Sequence, residues 1–181
     1  MPLWLAFVLG AVISWGTYVP VLHEGQVKLG GSLRAFLCVG VAYFITAVVV
    51  PLGLMFFNVG GETFEFNARG TTFALLGGIA GAAGALCIIL SIKNQGNPLF
   101  IAPLVFAGAP IVNALVSMAW HPPKFMPGPL FYAGLVLAAV GAGLVLYSKG
   151  ELDKRSREAK QAEARARAAA AAELTRAPSQ P

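Results

Sequence analysis

The chain has 181 residues, 57% of them hydrophobic and only 12% charged, with a mean hydropathy of +0.71. Such values exclude an ordinary soluble globular domain. The charge is also lopsided, since 13 of the 21 Asp, Glu, Lys and Arg residues follow Ser148; one membrane domain with a polar tail is expected, with no length left for a second folded domain.

Five apolar segments follow in chain order, 3–21, 33–57, 72–92, 99–120 and 129–148, each long enough to span a bilayer as a helix. The expected fold is therefore an all-α integral membrane protein. A five-helix transmembrane domain covers 1–148, and a basic, Ala/Arg-rich cytoplasmic tail covers 149–181, helical or disordered. The first segment reads as a retained helix rather than a signal peptide. It lacks a positive leading region, and Trp15, Tyr18 and Pro20 stand where a small-residue cleavage site would be.

The connections read as polar breaks. Residues 23–31 hold Glu24, Lys28 and the pair Gly30-Gly31, with Ser32 positioned to cap the second helix. Residues 58–70 carry Glu62, Glu65 and Arg69. Asn97-Pro98 opens the fourth helix, and Pro122, Pro123 and Pro127 make 121–128 a stiff strap.

Orientation follows from Lys and Arg alone. With the tail's eight basic residues in the cytoplasm, five spans put the N-terminus outside, and Lys28, Arg34 and Lys93 fall inside against Arg69 and Lys124 outside. Eleven against two is a strong bias toward N-out, C-in in a cytoplasmic (inner) membrane. The tail is rich in helix formers, and Glu151–Arg155 and Glu163–Arg167 have the i,i+4 spacing of ion pairs. It has no aromatic residues among its basic ones, so no nucleic-acid partner is expected.

Away from their ends the five segments contain no Asp, Glu, Lys, Arg or His, which removes the carboxylate that ion-coupled pumps and cation exporters usually place in the membrane. No GxSxG, HExxH, Walker loop or dinucleotide fingerprint occurs. No catalytic residue, metal site or cofactor is assigned, and the chain is read as a non-enzyme. Cys38 and Cys87 sit inside apolar runs and read as small buried hydrophobes.

What remains is neutral and polar. The stretch 97–120 has no charge, yet Pro103, Pro110, Asn113 and Ser117 fall on one side of its helix, which suits a cavity wall or a helix–helix seam better than a lipid anchor. Trp15, Tyr18 and Tyr43 add aromatic rings. Together with Pro110 and Asn113 they are the candidate substrate-binding residues for a small neutral or zwitterionic solute, whose apolar face rings can stack on while amides orient it. Trp15 and Tyr18 also fit an interfacial aromatic belt, and Asn113 also fits an interhelical hydrogen bond. Thr46, Ser91 and Ser117 read as bonding back to their own helices. Gly77, Gly81 and Gly84 share one face of the third helix, and Gly134, Ala138 and Gly141 one face of the fifth, a spacing that lets helices approach closely.

With these segments placed, the chain resembles one repeat of the drug/metabolite transporter superfamily, the EamA-like domain, and is most similar to its sugar-uptake branch. The likeness rests on SWGTYVP (14–20), GGIAGAAGALCIILSIKNQG (77–96), NPLFIAPLVFAGAP (97–110) and GLVLAAVGAGLVLYSK (134–149), and covers residues 1–149. It implies a permease built from two five-helix repeats of opposite orientation that binds solute near mid-membrane, with Trp15, Tyr18, Pro110 and Asn113 nearest the cavity. The chain departs from the family's Gly-Glu pair after the fourth helix, where it has Trp120-His121-Pro122-Pro123, and it carries a single repeat. A half-size carrier therefore needs a second five-helix subunit or a homo-oligomer in the bilayer. The alternative is a non-transporting scaffold or assembly subunit whose glycine faces bind other helices.

Overall fold

The computed structural model describes residues 2–176. Among them the regular structure is entirely helical, and five helices are long and apolar enough to cross a membrane. By contact the chain divides into two compact units, Met1–Ala102 and Pro103–Pro181.

The first helix, α1, runs Leu3–Leu29, past the expected end at Val21 and through Pro20. The polar residues 23–28, expected in a loop, form its last turns. Lys28 suits the negative end of the helix dipole and pairs with Glu24 at 3.2 Å, one turn back. Gly30, at φ 60°, ends the helix in a left-handed conformation that costs glycine little.

The second apolar rod is continuous over Ser32–Phe56 but not uniform. It comprises α2 (Ser32–Phe44), a π-helical turn (Ile45–Val49) and α3 (Val50–Phe56). Pro51 supplies the reason. It has no N–H for the carbonyl four residues back, and its ring would crowd that carbonyl; the wider turn, in which the Val50 N–H reaches the carbonyl of Ile45, absorbs the mismatch. At the start of α2 the cap position belongs to Gly31, which offers no side chain, and the expected cap Ser32 is instead the first helical residue.

Asn67 caps α4 (Ala68–Lys93), accepting the Gly70 N–H at 2.7 Å. The helix closes in a Schellman turn: Gln95 N–H bonds to Ile92 O at 3.1 Å and Gly96 N–H to Ser91 O at 2.8 Å. Gln95 takes the left-handed position at φ 66°, unusual for a residue other than glycine. Asn97 then opens α5 (Pro98–Trp120) as anticipated, its Oδ1 accepting the Leu99 N–H at 2.9 Å ahead of Pro98 at the first helical position.

The last helix, α6, runs Pro129–Arg176 without interruption, 48 residues and so about 72 Å long. The apolar segment and the described part of the tail are thus one helix; residues 177–181 of the tail lie outside the described residues. Among the described residues Lys149 pairs with Asp153 at 2.6 Å on this helix, whereas Glu151–Arg155 and Glu163–Arg167 make no ion pair.

The core of the first unit is small. Val19 and Leu22 on α1, Ala35 on α2, and Ala85, Ile88 and Ile89 on α4 are buried where these three helices meet. Val19, Leu22 and Gln26 recur at i, i+3 and i+7, one helical stripe. Most remaining large apolar side chains are exposed, as expected of helices whose solvent is lipid or another chain.

Candidate functional site

The structure shows two of the five candidate solute-binding residues in contact. Trp15 and Tyr18 lie one turn apart on α1 with ring centroids 5.8 Å apart and planes tilted by 52°. Tyr43 lies on α2. The Tyr18 hydroxyl oxygen is buried without a hydrogen-bond partner among the described residues. A buried phenol in that condition costs about 1–3 kcal/mol relative to a satisfied one. Thr17 donates to the carbonyl of Ile13 at 2.9 Å and Thr46 to that of Ala42 at 2.8 Å, the back-bonding expected of Thr46.

Pro110 and Asn113 lie on α5 in the second unit. The whole stripe of Pro103, Pro110, Asn113 and Ser117 is exposed, and the Asn113 amide makes no hydrogen bond among the described residues. An unpaired amide against hydrocarbon is expensive, by several kcal/mol.

Among the described residues the glycine faces meet no close neighbour. A Cβ built on Gly77, Gly81, Gly84, Gly134 or Gly141 would meet nothing within 4 Å. The side of α4 that packs is instead Ala85, Ile88 and Ile89. Cys38 and Cys87 are free and exposed, not buried as expected, because the faces of α2 and α4 they occupy lie away from the small core. No cluster of three metal-ligating side chains occurs among the described residues.

One polar residue escaped the sequence reading. Gln26 is only 7% exposed, and its Nε2 donates both to the carbonyl of Ile89 at 3.2 Å and to Ser32 Oγ at 3.1 Å. A single amide thus fastens α1 to α4 and to the first residue of α2. The signal was present in the spacing of Val19, Leu22 and Gln26, but the surrounding polar residues made the segment read as a loop. The chain matches no family model, no curated protein and no solved structure.

Proposed function

We propose that the protein is a half-size membrane permease for a small neutral or zwitterionic metabolite such as a sugar. It works by alternating access with a second five-helix subunit, another copy or a different chain, in the cytoplasmic membrane with the N-terminus outside and the C-terminus inside. The observation that carries this reading is the exposed, unbonded Asn113 amide on a proline-bearing apolar helix. A polar group so placed is tolerated in a bilayer where it faces a cavity or a partner. The ring pair of Trp15 and Tyr18 on the first apolar helix supports the same reading. The resemblance to the drug/metabolite transporter superfamily is consistent with it, and a single repeat of that design requires a second to enclose a pathway. Solute flux into proteoliposomes, measured for the chain alone and with a second five-helix subunit, tests the proposal; no flux of any sugar or zwitterion in either preparation rejects it.

A non-transporting assembly subunit is favoured by a different observation, the unbroken α6 helix that carries the basic tail onward from the apolar segment. That reading expects truncation after Lys149 to abolish capture of a partner while Asn113→Ala has no effect.

A further inference from the structure

The second apolar rod is held along only half of its length. Within the first unit α2 packs against α1 and α4, whereas α3 packs against neither and meets only the π-helical turn before it. Ala35 of α2 is buried, but no residue of the π turn or of α3 is, and Val50, Leu52, Leu54 and Phe56 are exposed. A segment with so little buried surface has few contacts beyond its own backbone bonds to fix its direction.

The junction between the two halves is weak for two separate reasons. Pro51 has no N–H to donate to the carbonyl of Ala47, four residues back, so the ladder is interrupted where packing stops. One turn before Val50, Thr46 Oγ1 donates to the carbonyl of Ala42 at 2.8 Å, a side-chain bond that favours a bend. Prolines and π turns are the places where helices bend.

Beyond the junction α3 is closed at its far end. Asn58, at φ 53°, donates its N–H to Met55 O at 3.0 Å, and Val59 N–H reaches Leu54 O at 2.8 Å, a Schellman turn. Residues 59–67 then form no helix, and Gly60 and Gly61 adopt φ of 92° and 70°. This irregular connection to α4 supplies the slack that a displaced α3 needs.

Space is present on one side. An open cleft of about 490 Å³ lies between the π turn and the start of α4, lined among others by Ala47, Glu65, Gly70, Thr71 and Ala74. The α4 side of that lining is small, which lets a second helix approach closely.

We propose that α3 is a hinged lid. It swings as a rigid segment about the π turn while α2 stays fixed on α1 and α4, and it passes between the open position of this structure and a closed one over the cleft. The motion belongs to the second rod alone and stands whether or not the chain transports a solute.

Pulsed electron–electron double resonance on the full chain in nanodiscs tests it. Cys38 and Cys87, both exposed, are first replaced by serine. Spin labels on Phe56→Cys and Ile79→Cys then span the lid and α4, and labels on Leu37→Cys and Ile79→Cys span the packed half; all three positions are exposed. The first pair should give two separations and the second pair one. Pro51→Ala restores the missing donor and should reduce the first pair to one separation. Amide exchange of the parent chain gives a second reading that needs no variant: residues 50–56 should exchange about tenfold or more faster than 36–44. A single separation for the first pair in the parent chain overturns the proposal. So do two separations for both pairs, two that persist unchanged in Pro51→Ala, or equal protection of the two segments.

Discussion

The Nε2 of Gln26 donates to the carbonyl oxygen of Ile89 across 3.2 Å, joining helices whose bonded residues are 63 positions apart. The same nitrogen reaches Ser32 Oγ at 3.1 Å, so three helices share one amide in a core that is otherwise apolar. Substituting Gln26 by Ala removes both bonds and leaves a small cavity. A loss of about 1–3 kcal/mol is expected, read as a lower unfolding midpoint in detergent. Gln26→Glu should be worse, because a carboxylate would face the Ile89 carbonyl without a donor between them.

The turn after α4 makes two opposite predictions. A Cβ at Gly96 would come within 2.6 Å of Ser91 O and 2.9 Å of Ile101 Cδ1, so Gly96→Ala should destabilise by about 1–3 kcal/mol. Its neighbour Gln95 holds φ 66°, where Gly carries no penalty, and Gln95→Gly should stabilise by about 1 kcal/mol. Thermal unfolding of the two variants side by side checks both signs.

The π-helical turn at Ile45–Val49 is assigned to Pro51. Pro51→Ala restores the missing N–H and should let the rod relax toward a regular α-helix. Amide exchange across 45–51 is then expected to slow relative to the parent chain. Unchanged exchange would mean that packing, rather than proline, maintains the wider turn.

The helices were legible because uncharged runs of spanning length leave few alternatives to a membrane rod, and the start of α5 was legible because Asn-Pro carries its own cap chemistry. The last two turns of α1 were not. Glu24 and Lys28 look like loop residues until one sees that they pair along an exposed face while Leu22 and Gln26 turn inward. The π turn was hidden because a proline in an apolar run signals disruption without saying which hydrogen bonds will rearrange. The spacing of Gly77, Gly81 and Gly84 fixes a face but not its partner, and among the described residues nothing lies within 4 Å of a Cβ built there. Similarly, the polar stripe through Asn113 was visible in the sequence, whereas a spacing names no hydrogen-bond partner for its amide.

The exposure of Asn113 separates function from stability. Its amide bonds to nothing among the described residues, so Asn113→Ala should change the unfolding free energy of the single subunit by less than about 0.5 kcal/mol. A larger loss would place Asn113 in a structural contact within the chain.

Solute flux into proteoliposomes holding the chain and a second five-helix subunit, compared with the same preparation bearing Asn113→Ala, decides whether Asn113 lines a transport pathway. Flux of a neutral or zwitterionic solute is expected, falling about tenfold or more in the variant while subunit association is retained. Equal flux in the two preparations would contradict it.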